Sequence, residues 1–190
     1  MKIRFGNLIL LLSIFLVCSC QSDYTKLVKD ELATGVRNDS VFYGLKFGQT
    51  KSEFFEICKE YNQRRILTHG PNNSYVQSFL YPQDTTDTTQ KMRMLFYGKF
   101  NKENKIIAMD VKFSYVAWAP WNEDLSAEAL LPKVQDTLMK WYPGNSFMKA
   151  KDDILVKVDG NRQIQLKQES DKDVSVIIED LDYKYNNLNK

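Results

Sequence analysis

The sequence predicts an α+β fold made of two units, each a helix followed by a three-stranded antiparallel meander. Three observations predict it: an apolar stripe at helical spacing opens each half, alternating apolar and polar runs follow, and turn residues separate those runs. In the first half, Thr50 stands three residues before Glu53. In that pattern a threonine side chain caps a helix and the glutamate reaches back to the cap amide. Phe54, Phe55, Ile57, Cys58 and Tyr61 continue it as one apolar face to about residue 65. His69-Gly70-Pro71-Asn72-Asn73 is turn chemistry, and residues 75–81 read as a strand. Residues 82–90 contain no hydrophobic side chain and are expected as a solvated loop. Residues 91–100 alternate Met92, Met94 and Phe96 against Arg93, Leu95 and Tyr97. Residues 101–104 reverse the chain, and 105–118 supply the third strand.

The second half repeats this order. Leu130, Leu131, Val134, Leu138, Trp141 and Tyr142 lie at helical spacing and are followed by Pro143-Gly144. Pro132 suits an early helical position better than an interior one, so residues 125–131 are expected as a separate short turn. Phe147-Met148 reads as a brief strand. Ile154, Val156 and Val158 alternate up to Asp159-Gly160-Asn161, a hairpin signal. Residues 162–168 return, Asp171-Lys172 turns, and 174–181 close the sheet.

Ahead of both units lies a basic head, Lys2 and Arg4, and an apolar run over residues 8–17. This is the pattern of a secretory signal peptide. The run is about half the ~20 residues a spanning helix needs. Val17-Cys18-Ser19-Cys20 resembles the lipobox of bacterial lipoproteins. The resemblance implies cleavage before Cys20 and acylation of its sulfur, hanging the body from the outer membrane on its periplasmic or external side. Bulky Val17 makes Cys18 the poorer candidate. The alternative is a plain cleaved signal with incidental cysteines. Gln21-Ser22-Asp23 is similar to the retention or surface-export signals of Bacteroidota lipoproteins. Leu27, Val28 and Leu32 then form a weak amphipathic stretch that stops at Gly35. The expected organisation is a signal peptide at 1–19, a lipid anchor and tether at 20–38, and units at 39–117 and 118–190 sharing one compact body.

Composition narrows the function. Without Lys2 and Arg4 the chain carries 24 basic residues against 24 acidic ones. That removes the electrostatic footprint of a nucleic-acid binder. Aromatic residues at 13% argue for a packed core rather than disorder. Of three cysteines, Cys58 alone lies outside the leader region, on the apolar face it shares with Phe54, Ile57 and Tyr61. It is expected in the core. His69 is the single histidine and is expected in a surface loop.

Phe47-Gly48-Gln49-Thr50-Lys51, with the helix and meander that follow, resembles the small E-subunit lipoproteins of the outer-membrane barrel-assembly machinery. The doubled arrangement is similar to the beta-lactamase inhibitor protein fold. Residues 36–54 and the Val156-Lys157-Val158-Asp159-Gly160-Asn161-Arg162 hairpin are also similar to uncharacterised Bacteroidota lipoproteins. The first two resemblances imply an anchored body that works by contact with an envelope protein; the third brings no activity with it.

No phosphate loop, nucleophile elbow or Cys-His pattern occurs in the sequence. Asp152-Asp153, and Asp180 with Asp182, sit next to strand ends, where solvated turn charges are the ordinary reading. The chain is expected to be no enzyme and to hold neither metal nor cofactor. Trp118 and Trp121 flank Pro120 between the units, and either fill the core there or present an aromatic anchor to a partner. Asp84-Thr85-Thr86, Asp87-Thr88-Thr89 and Asp39-Ser40-Val41 look like the acceptor motif for O-glycosylation in Bacteroidota envelope proteins, with Thr85, Thr88 and Ser40 as the acceptors. The function expected is that of an accessory or scaffold subunit. The alternatives are a ligand-binding or inhibitory lipoprotein and a carboxylate-dependent hydrolase.

Overall fold

The computed structural model describes residues 22–81 and 88–187. Among them are four helices and one eight-stranded antiparallel sheet, a mixed α+β architecture. Helix α1 is Asp23–Ala33, α2 Lys51–Gln63, α3 Ala127–Trp141 and α4 Leu181–Asn187. The strands are β1 Thr68–His69, β2 Val76–Leu80, β3 Met92–Phe100, β4 Ile106–Tyr115, β5 Met148–Lys149, β6 Leu155–Asp159, β7 Arg162–Gln168 and β8 Val174–Asp180. Their order across the sheet is β1-β2-β3-β4-β8-β7-β6-β5. Strands β4 and β8 therefore meet at the centre, with Val111 opposite Val176, and the two-residue strands lie at the edges. Edges this short leave little backbone free to recruit another strand.

Each element has a local cause. Thr50 Oγ1 accepts from the Glu53 amide at 3.2 Å, and Glu53 Oε2 accepts from the Thr50 amide at 2.7 Å. This reciprocal cap starts α2 where the spacing of the two residues predicts it. Ser126 caps α3 by accepting from the Ala129 amide at 3.3 Å. The β6–β7 connection is a two-residue turn with Gly160 at φ +56°. A side chain there would meet the Val36 carbonyl oxygen at 2.2 Å, so the close pass of the N-terminal segment requires glycine.

The front face of the sheet carries the main core. Phe96 of β3, Met109, Val111 and Phe113 of β4, Ile164 and Leu166 of β7, and Val176 and Ile178 of β8 are buried there together with Phe54 of α2 and Leu130, Val134 and Leu138 of α3. Phe54 is wholly buried, with its ring edge-on to Tyr97 at 5.5 Å and to Phe100 at 5.7 Å. On the back face Val28 of α1, Val156 and Val158 of β6, and Leu181 of α4 form a smaller cluster. Residue alternation along β6 produces the split, because Leu155 packs into the front core while its neighbour Val156 packs behind.

Several sequence-based expectations need correction. The first half contains four strands rather than three, because β1 pairs with β2 over two residues; the brief strand expected at Phe147-Met148 is β5, shifted by one residue. His69 lies on β1, opposite Val76, and not in a loop. Pro132 sits inside α3, which runs unbroken from Ala127 to Trp141; the separate turn is the single 3-10 turn Glu123–Leu125. The proline removes one helical bond, the one to the carbonyl of Glu128, whose side chain is exposed. The closing strand stops at Asp180, whose carboxylate accepts from the Asp182 amide at 3.0 Å and starts α4. The stretch expected as tether and short helix is α1, seated on β6. Tyr24 there donates to Gln163 at 2.6 Å; burial, then the charges of Tyr185 and Glu179, push its hydroxyl up to about 12.

Candidate functional site

The segment joining β4 to α3 builds the most exposed aromatic feature of the described residues. Trp118 N–H donates back to the Tyr115 carbonyl at 3.4 Å, and Asn122 N–H donates to the Ala119 carbonyl at 3.0 Å. Ala119, Pro120, Trp121 and Asn122 thus form a tight turn, and proline in its second position presets the backbone angle such a turn uses. Trp121 takes the third position, at the tip, with 85% of its surface exposed. The Ala127 amide donates to the Asp171 carbonyl at 2.8 Å, which fastens the end of this segment to the turn between β7 and β8.

Trp118 is half-buried against the main core, and Lys172 Nζ lies 5.3 Å from its ring centre. Trp118 also lines a cleft of about 650 Å³ whose walls include Pro120, Glu123, Asp124, Glu128 and Asp171. Among the described residues none of these four carboxylates forms a salt bridge. An indole beside unpaired carboxylates suits a cationic group, which gains from both the negative field and the aromatic face.

Away from this cleft the molecule holds a buried charged network that the sequence reading did not single out. Lys157, wholly buried, lies 2.8 Å from Asp159 Oδ2 and donates to the Asn145 carbonyl. Arg162 donates to the Ser40 carbonyl at 3.1 Å and stacks 4.4 Å above the Tyr142 ring. Burial lowers the Arg162 pKa and, acting on a phenol, raises that of Tyr142. Gly144, at φ +135°, makes room, since a side chain there would meet Asp159 Oδ1 at 2.3 Å. Arg37 closes the outer side, paired with Asp39 at 2.8 Å and Asp182 at 2.5 Å. The network ties the N-terminal segment to the β6–β7 hairpin. A signal for it exists in the sequence: Lys157 and Asp159 stand in phase with Leu155, the residue of β6 that faces the main core.

The other residues singled out from sequence lie apart. Cys20 and Thr85 fall outside the described residues. Thr88 begins an exposed 3-10 turn, and Ser40 is exposed and bridged to Lys46. Cys58 is buried under α2, where burial pushes its thiol up to about 12 and keeps it unreactive at neutral pH. His69 is exposed on an edge strand. Asp152 and Asp153 occupy an exposed 3-10 turn, whereas Asp180 and Asp182 belong to the Arg37 cluster.

The comparisons bring no relative to this geometry. Protein-family models, curated proteins and solved structures give no match to the chain. Among the described residues no helix is long and apolar enough to cross a membrane.

Proposed function

We propose that this chain is an envelope lipoprotein, cleaved before Cys20, acylated on that sulfur and held at the outer membrane. It acts there by binding a protein partner, as an accessory or scaffold subunit of a membrane assembly. The observation that carries the binding half of this reading is Trp121, exposed at the tip of a turn beside the acid-lined cleft of Trp118. Tryptophan is a leading contributor at protein interfaces, and leaving one in water costs the free energy its burial would gain. The partner surface is correspondingly basic. Anchoring adds to this, because a body held at a bilayer meets a membrane-bound partner at a raised effective concentration.

The finer architecture belongs to the same proposal. The two halves are tandem copies of one helix-plus-meander unit in the manner of the inhibitor-protein fold. Three features support this: the mirrored strand order, the matching sequence of helix, short strand, 3-10 turn and three strands, and paired left-handed residues at the same place in each half. Those residues are Asn72 with Asn73 and Asp152 with Asp153.

The test is purification of the tagged full chain from detergent-solubilised membranes of a host that acylates lipoproteins. Wild-type protein is expected to carry a stoichiometric membrane partner. Trp121→Ala should weaken that complex by about 2 kcal/mol, roughly thirtyfold, without changing the melting temperature. Cys20→Ser should leave the membrane fraction. A monomer with no partner, or a complex indifferent to Trp121, would overturn the binding reading.

A further inference from the structure

A second cleft, of about 590 Å³, lies at the start of α1, between that helix, strands β5 and β6 and the 3-10 turn Lys151–Asp153. Tyr24, Met148, Ala150, Ile154 and Val156 give it a mainly apolar surface, while Ser22, Gln165 and four charged residues, Asp23, Lys149, Lys151 and Asp152, also line it. Four of these side chains are aliphatic or thioether groups and Tyr24 adds an aromatic ring. Such a lining resembles ligand sites that enclose an apolar body and use only a few polar groups to orient it. The Trp118 cleft differs: four carboxylates line it with no lysine or arginine among the described residues of its wall to balance them, and it suits a cation.

What would occupy the apolar cleft follows from its place in the chain. Ser22 on the rim is two residues from Cys20, and two residues of extended chain reach about 7 Å at most. Any group carried by the Cys20 sulfur is therefore tethered at the mouth of the cleft. A tether this short makes occupancy an intramolecular event, at millimolar effective concentration or above. The lining selects among the possible chemistries, because most of the surface it offers is hydrocarbon and its charges balance, Asp23 and Asp152 against Lys149 and Lys151.

We infer that the cleft holds one of the acyl chains attached to Cys20, sheltering it against α1 and β6 when the chain is withdrawn from the bilayer. The inference rests on the acylation proposed above. Each methylene moved out of water contributes about 0.8 kcal/mol, so a segment of several methylenes is enough to favour the sheltered state in water. A bilayer offers the same gain to the whole chain and draws it out again. Helix α1 thereby forms one wall of the shelter and keeps the anchor close to the body.

The experiment feeds the producing host a fatty acid bearing a diazirine, so that the photoreactive group enters the chains on Cys20. The purified full-length protein is irradiated in a lipid-free, low-detergent buffer and digested with trypsin. Cross-links from the N-terminal lipopeptide to the peptides covering residues 141–149 and 152–157 are expected. Ile154→Glu, which places a charge on the half-buried wall, should lower their yield at least fivefold. Cross-links confined to detergent, or spread over the surface and indifferent to Ile154→Glu, would overturn the shelter while leaving the anchor intact. An N-terminal peptide with no acyl mass on Cys20 would overturn the anchor, and the occupant with it. The wild-type cross-link map decides the matter even if the variant misfolds.

Discussion

The two faces of the sheet are covered by different means. In front, α2 and α3 lie on a core of large side chains, with Phe54, Phe96, Phe113 and Tyr115 all essentially inaccessible to water. Behind, α1 rests on Val28, Val156, Val158 and Leu181, and polar bonds do much of the fastening. Glu31 at the end of α1 accepts from the Gly160 amide at 2.7 Å and from the Asn145 side-chain amide at 2.6 Å. Gln163, Gln165 and Lys184 converge on Glu179 beside it. A helix held by a few aliphatic contacts and part-buried polar bonds opens at lower free energy than one seated in an aromatic core. The back face is thus the part of the molecule that can loosen while the front stays folded.

This contrast can be broken most forcefully at Phe54. Phe54→Ala empties the centre of the ring cluster and is expected to cost about 3–5 kcal/mol of global stability, read from the midpoint of denaturant unfolding. A loss below 1 kcal/mol would mean that the front core is not what holds the molecule together. On the back, Glu31→Gln keeps the shape but turns one accepting oxygen into a donating NH2, so one of the two hydrogen bonds is lost and the other loses its charge. It is expected to cost about 1.5 kcal/mol, and locally: α1 amides should exchange with solvent roughly tenfold faster while those of β3 and β4 keep their rates. Equal acceleration everywhere would show that α1 and the front core unfold as one unit.

The smallest effect concerns the cap of α2. Bonds from the Thr50 amide and hydroxyl hold the Glu53 carboxyl below the usual glutamate range. A depressed carboxyl adds stability above its unfolded pKa, and that stability is lost as the pH falls through the folded pKa. The melting temperature of wild type should therefore exceed that of Glu53→Gln at neutral pH, with the gap closing once the pH drops below about 4. A gap unchanged down to pH 2 would remove the charge from the account of this cap.

Much of the fold is legible in short stretches of chain. Thr50 and Glu53 announce α2, the alternation around Phe96 and Val111 announces paired strands, and Asp159-Gly160-Asn161 announces a two-residue turn. The failures have physical reasons too. At β1 two residues give no period to detect, and their pairing depends on partners several residues away. Pro132 is tolerated because one missing bond costs less than the burial of Leu130, Val134 and Leu138 on the same helix returns. Leu181 reads as the last residue of a strand until the back cluster gives it a different place. The Trp118–Trp121 segment was legible as a pair of core or partner-facing aromatics with two carboxylates, Glu123 and Asp124, just after it; the other two, Glu128 of α3 and Asp171 of the β7–β8 turn, join them only in the fold.

By itself the sequence determined the kinds of elements, their order and most of their ends, because spacing, caps and turns act over a few residues of local backbone geometry. Tertiary structure alone decided that α1 covers the back of β6, that Lys157 donates to the Asn145 carbonyl, and that Trp118 lies against the core. Those outcomes depend on which strands meet at the centre of the sheet and which face each helix then finds uncovered. They are contacts between residues far apart in the chain, and no local pattern encodes them.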